Sequence, residues 1–191
     1  MSRTFTSLSD PELIRIINNG AIGVLATDTV YGLVAQASSH SALERFYSAK
    51  PRHYEPGTII GASIEQFLKI GFSLTSLQIA AQYWPGAVSV VLDAQDVANS
   101  LKHHRDSLAV RIPEPIELQA LLTSTGPLMT TSANAPGEPT AHTTDEAKDY
   151  FGDTVDFYVD SGPIDNPPST ILGIDSNHKI TVFRQGSVPI L

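Results

Sequence analysis

The stretch SDPELIRIINNGAIGVLATDTVYGL, Ser9 to Leu33, sets the reading of the whole chain. Ser9 or Asp10 is placed to cap a helix. Pro11 falls in its first turn, where a missing N–H costs nothing. Leu13, Ile14, Ile16 and Ile17 give that helix an apolar face, and Gly20 follows its end. Ile22 to Ala26 is a short continuous apolar run, the pattern of a buried strand. Asp28 to Leu33 reads as a turn of polar and backbone-permissive residues. A helix, a buried strand and a polar loop at the strand's end are the elements of an α/β protein.

The same alternation continues outward. Helices are expected from about Ser41 to Ala49, Ser63 to Ile70, Thr75 to Tyr83, Ile116 to Leu122, and from a Thr143 or Thr144 cap to Tyr150. Trp84-Pro85-Gly86 stops the third of these. Strands are expected at Thr58–Gly61, Val88–Leu92, Leu108–Ile112 and Leu128–Thr131, then near 157–159, 170–174 and 180–184. The expectation is one α/β domain over residues 1–191, an open, twisted, mixed β-sheet with packed helices.

Composition narrows the function. The chain has 191 residues and no cysteine, which excludes a disulfide scaffold, a thiolate zinc site and a cysteine nucleophile. At this length about 70% of the unfolded surface is buried on folding, so no staple is needed. Residues 1–10 are polar and lack the apolar core of a signal peptide, and no run approaches ~18 apolar residues. A cytoplasmic protein with no membrane partner is therefore expected. The formal net charge of −8 argues against generic nucleic-acid binding, since that draws on Lys and Arg. A weak tRNA or RNA contact would need a local basic patch.

In open α/β sheets ligands sit where loops converge at strand ends. The polar clusters fall there: Thr27-Asp28-Thr29, Lys50-Pro51-Arg52, Arg111, Ser132-Ala133-Asn134, Ser169-Thr170 and Arg184. Neither GxxxxGK[ST] nor GxGxxG occurs, so any polyphosphate must be held by separate cations and hydroxyls. Lys50 and Arg52 lie two apart after a helix, a spacing that puts both on one face of an extended segment. They suit a polyphosphate, or simply a helix end that favours cations. Arg111 closes an apolar run, so it is either paired at the strand end or facing outward. Ser132 and Asn134 offer donors and acceptors to a ribose, phosphate or amino acid, or else cap local backbone. Lys102-His103-His104-Arg105 is a basic loop. No histidine has metal-ligand spacing, and no nucleophile–base pair appears. That favours chemistry by positioning and charge stabilisation, as in nucleotidyl transfer.

In this order the clusters resemble the threonylcarbamoyl-AMP synthase family, the YrdC/Sua5 group, in its short single-domain form. Ala26 to Leu33 is similar to the family's PTETVYGL segment, and Ala49-Lys50-Pro51-Arg52 to its KxR motif. Trp84-Pro85-Gly86 matches its WPG turn, Ser107 to Arg111 its (S/T)xAVR strand and Ser132-Ala133-Asn134 its SxN motif. Pro168 to Ile171 and Phe183 to Gly186 match its STI and xRxG segments. The resemblance runs from about Ala21 to Gly186. It implies the YrdC-like fold and a reaction in which L-threonine, bicarbonate and ATP give threonylcarbamoyl-AMP and pyrophosphate. The product would feed N6-threonylcarbamoylation of adenosine 37 in tRNA through a separate threonylcarbamoyl-transferase enzyme.

Residue by residue, the resemblance gives L-threonine to Thr29, Arg111, Ser132 and Ser169, and ATP to Lys50, Arg52, Asn134 and Arg184. Lys50 and Arg52 would be catalytic, with Mg²⁺ held mainly by the ATP phosphates and no protein metal site. The chain departs from the pattern at Ala26 and Asp28, where Pro and Glu are usual. It departs again at Pro56, Gly57 and Gly61, where longer members carry Asn-Pro and a later His. The competing reading is a diverged YrdC-like paralogue that binds nucleotide or structured RNA without this activity. A carbamoyl-adenylate domain of the hydrogenase-maturation type is disfavoured by the lack of zinc-finger cysteines.

Overall fold

Asp10 accepts hydrogen bonds from the amides of Glu12 at 2.8 Å and Leu13 at 3.4 Å, so helix α1 (Pro11–Asn18) begins with two of its orphan donors satisfied. The computed structural model describes residues 1–50, 57–103, 105–175 and 179–190. Before α1 lies β1 (Arg3–Phe5); after it come β2 (Gly23–Ala26), β3 (Tyr31–Gln36), α2 (His40–Ala49), β4 (Thr58–Ile60), α3 (Ile64–Lys69) and α4 (Leu74–Ala80). Then follow β5 (Val88–Asp93), α5 (Asn99–Lys102), β6 (Ser107–Arg111), α6 (Ile116–Thr125), β7 (Leu128–Ser132), α7 (Thr144–Phe151), β8 (Phe157–Val159), β9 (Thr170–Ile174) and β10 (Ile180–Arg184).

Among the described residues the strands form one open mixed sheet in the order β1-β8-β2-β3-β7-β4-β6-β5-β9-β10. Pairing is parallel for β1/β8, β2/β8, β4/β6 and β5/β9, and antiparallel elsewhere. Side chains alternate between its faces. Val24, Leu33, Ile59, Val110, Met129 and Tyr158 belong to one core, with α2, α3, α4 and α7 packed over it. Leu25, Val34, Ile60, Leu128 and Phe157 belong to a second core, covered by Leu13 and Ile17 of α1 and Leu118, Leu121 and Leu122 of α6. Burial on both faces is why these strands read as continuous apolar runs.

Helices α1 and α6 cover only part of the second face. The register carries that face onward from Val34 to Gly32, from Leu128 to Thr130, from Ile60 to Thr58, and from Arg111 to Ala109. Gly32, Thr58, Ala109, Arg111 and Thr130 all line a cavity of about 810 Å³. One sheet face is thus core at one end and binding floor at the other.

The segment from Asp28 to Leu33, expected to be a turn, is a turn only as far as Val30, where Thr27 N donates to Val30 O at 3.0 Å. Strand β3 starts at Tyr31 because Tyr31 to Ala35 are buried and the strand pairs with β2 on one side and β7 on the other, which outweighs the weak strand preference of Gly32. The three-residue β1 and four-residue α5 are too short to show periodicity, and were not expected.

Candidate functional site

The floor of the cavity is strand; its walls are the turns and segments at strand ends. The β2–β3 turn is built around Thr27. Its Oγ1 donates to Val30 O at 2.7 Å and accepts from the amides of Thr29 at 3.3 Å and Val30 at 3.2 Å. This fixes Thr29, buried at 3% exposure, against the cavity. Gly32 lies below it. A Cβ there would stand 2.5 Å from Thr130 Oγ1, so glycine leaves room for the Thr130 hydroxyl on the cavity floor.

A continuous polar chain crosses the site. Arg184 donates to Ser169 O from Nε at 3.1 Å and from Nη2 at 2.9 Å, and to Ser169 Oγ at 3.3 Å. Ser169 Oγ lies 3.2 Å from Ser89 Oγ, which accepts from Arg111 Nη1 at 3.3 Å. Arg111 Nη2 is 2.8 Å from Asp28 Oδ1. Arg111 is therefore the paired, buried residue that its strand position left undecided. Among the described residues, Arg111 Nε and both Asp28 oxygens have no hydrogen-bond partner, so the contact is an ion pair without good hydrogen-bond alignment. Burial lowers the Arg111 pKa from its ordinary value, Asp28 raises it, and Arg184 lowers it again. Burial pushes the Asp28 carboxyl up, with Arg111 opposing.

A second cluster lies beside the first. Lys50 closes α2 and is 2% exposed. Its Nζ donates to Ser132 O at 2.5 Å, Asn134 Oδ1 at 2.6 Å and Ser132 Oγ at 3.3 Å. Ser132 Oγ donates to Asn134 Oδ1 at 2.7 Å. Asn134 Nδ2 donates to the carbonyls of Ala135 and Glu138, so Asn134 also caps its own loop. The capping account therefore holds for Asn134.

Of the expected site residues, Thr29, Arg111, Ser132, Ser169 and Arg184 line the cavity, while Lys50 and Asn134 are not in its lining and join it through Ser132. Arg52 lies outside the described residues, as do Pro56 and His104. Gly57, Thr58 and Arg105 line the cavity. Ser89 and Phe183 were not singled out. Ser89 interrupts the apolar run of Val88 to Leu92 and is fully buried, a signal that was available. Tyr31 supports the site from below. Its hydroxyl donates to Gly162 O at 2.8 Å and accepts from Ser161 N at 3.0 Å, tying down the segment that leads to Ser169.

Among the described residues no group of three His, Cys, Asp or Glu side chains is placed to hold a metal ion. No helix there is long and apolar enough to cross a membrane. The site offers fixed cations, hydroxyls and backbone donors. Such an array binds anionic and zwitterionic ligands and stabilises charge that develops on them.

Comparison with known proteins agrees. The Sua5/YciO/YrdC family model, described as telomere recombination, matches residues 15–186. A putative threonylcarbamoyl-AMP synthase of Mycobacterium tuberculosis (strain CDC 1551 / Oshkosh) is 31% identical over 201 residues, covering 98% of this chain and 92% of the relative. The threonylcarbamoyl-AMP synthase of Marinobacter nauticus is 34% identical over 164 residues, covering 80% of this chain and 85% of that one. A crystal structure of P. abyssi Sua5 complexed with L-threonine superimposes with a TM-score of 0.83 at 26% identity. The match covers 99% of this chain, which spans 58% of the Sua5 chain.

Proposed function

The chain belongs to the Sua5/YciO/YrdC family, and on that basis we propose that it is an L-threonylcarbamoyladenylate synthase. The observation that carries this reading is the cavity of about 810 Å³ in which Thr29, Arg111, Ser132, Ser169 and Arg184 meet. It has room for a nucleotide beside a small amino acid. One polar end suits a zwitterion, and the cations suit polyphosphate.

The reaction combines L-threonine, bicarbonate and ATP and releases threonylcarbamoyl-AMP, pyrophosphate and water. The threonine amine adds to the bicarbonate carbon and water leaves, giving a carbamate. A carbamate oxygen then bonds to the α-phosphorus as the bond to the bridging oxygen of pyrophosphate breaks. In this reading Arg111, which lines the cavity, receives the threonine carboxylate, and Thr29, Ser132 and Ser169 orient the rest. Lys50, Arg52, Asn134 and Arg184 hold ATP, and Lys50 and Arg52 neutralise charge on the leaving group. Mg²⁺ would be held mainly by the ATP phosphates and would supply charge neutralisation there. The chain would act in the cytoplasm and hand its product to a threonylcarbamoyl-transferase acting on tRNA.

The test is incubation with ATP, Mg²⁺, L-threonine and bicarbonate, with mass-spectrometric detection of the adenylate. Product that requires all three substrates, and falls about 100-fold in Lys50→Ala with the circular dichroism spectrum retained, supports the reading. ATP binding by folded protein with no product would favour a diverged relative that binds nucleotide without this chemistry.

A further inference from the structure

Phe183 is 62% exposed, yet it lines the cavity. Its position follows from the β9–β10 register. Val182 pairs with Leu172, on the face of the first core, so Phe183 faces the cavity. A regular ladder would turn Arg184 away again. Instead the register shifts between Val182 and Arg184, and Arg184 pairs with Ile171. This bulge sends two consecutive side chains into the same cavity. The underside of the Phe183 ring lies on Gly173: a Cβ there would stand 2.8 Å from Cε2 and 3.1 Å from Cζ. Gly173 thus makes room for the ring on the cavity face, and the rest of the ring is open to solvent.

An exposed aromatic ring beside a guanidinium, inside a polar cavity, matches a ligand with a flat π-face and attached negative charge. Phe183 stands three strand spacings, about 14 Å, from the strand that carries Arg111. A nucleotide spans that interval; an amino acid held at Arg111 does not. We propose that Phe183 is the stacking platform for the purine base of ATP, with Arg184 beside it on the phosphate or ribose side. The assignment rests on the ATP-dependent reading above and adds to it the residue that holds the base. Stacking of a base on an aromatic side chain is sequence-tolerant and strong enough to matter.

The experiment is calorimetric titration of ATP into the wild-type chain and into Phe183→Ala, Phe183→Leu and Phe183→Tyr, with urea midpoints to confirm folding. The expected result is a loss of about tenfold or more in ATP affinity for both Ala and Leu, and near wild-type affinity for Tyr. In turnover the Ala and Leu variants should raise KM for ATP and leave kcat nearly unchanged. Leu binding ATP as well as Phe would show that only apolar cover is needed and would overturn the proposal, as would Ala binding ATP unchanged. A wild-type chain that binds no ATP would bring down the ATP-dependent reading itself. One that binds ATP but forms no adenylate would bring down the synthase reading alone, and the stacking would still be decided by the three affinities.

Discussion

Arg111 Nη2 and Asp28 Oδ1 are 2.8 Å apart with both side chains 4% exposed, so the site holds a buried ion pair between a strand end and a turn. Removing one member of such a pair leaves a buried charge without compensation. Asp28→Ala should lower unfolding free energy by about 3 kcal/mol in urea titration. Replacing both residues with apolar ones, as in Asp28→Leu with Arg111→Met, should recover most of that stability and abolish threonine binding. A double variant no more stable than the single one would show that the pair itself stabilises the fold.

Lys50 Nζ sits between Ser132 O and Asn134 Oδ1, at 2.5 and 2.6 Å. Lys50→Met keeps the stem and removes the charge, and should reduce pyrophosphate release by about 100-fold. Lys50→Arg should not restore it, because a planar fork does not fit a seat made for a compact ammonium. Full activity in the Arg variant would mean that only the charge matters.

Tyr31→Phe removes a donor to Gly162 O and an acceptor for Ser161 N. The expected loss is about 1–2 kcal/mol of stability, since a partly buried amide is left without its partner. The affinity for substrate should fall too, because Ser169 lies at the end of the segment that Tyr31 anchors. Unchanged hydrogen exchange at residues 161–169 would count against this link.

Glu12, Glu65, Asp153 and Asp156 all have lowered pKa values and so contribute to the acid limb of stability, Asp156 and Glu12 through arginine partners. Burial raises the Asp156 pKa, but bonds from Arg45 at 2.8 Å and the Ile22 amide at 2.9 Å outweigh it and hold the value down. Glu12, bonded by Arg15 and then Arg3, is held at about 2. Groups with depressed folded-state values contribute stability above their unfolded pKa and lose it as pH falls through the folded one. The urea midpoint should therefore drop between about pH 5 and pH 2. Asp156→Asn should flatten the acid limb, by no more than about 1 kcal/mol because the pair is half exposed.

Much of this was legible in the chain because local chemistry and tertiary position coincide. Asp10, Pro11 and Gly20 mark a helix by capping and turn preferences alone, and the strands at 157–159, 170–174 and 180–184 stand where their apolar runs do. The polar clusters at strand ends were legible because the sheet is so apolar that hydroxyls and cations stand out. What was hidden depends on distance in sequence. Nothing near Asp28 indicates a partner at Arg111, and nothing near Tyr31 indicates that its hydroxyl would hold residues 161 and 162. The bulge that turns Arg184 toward Ile171 is a property of two strands together, and neither strand alone reveals it.

The shared face of the sheet separates two kinds of sequence change. In β3, β4, β6 and β7, Gly32, Thr58, Arg111 and Thr130 face the ligand space, while Leu33, Ile59, Val110 and Met129 point into the opposite core. Drift at Thr58 and Thr130 alters what is bound, whereas Gly32 and Arg111 are also tied to the fold by close approach and by the buried pair with Asp28; drift at the second set alters stability first. Recognition and robustness can thus evolve on alternate residues of the same strands, and a library that varies Thr58 and Thr130 but keeps Gly32 and Arg111 explores new ligands without repeatedly losing the fold.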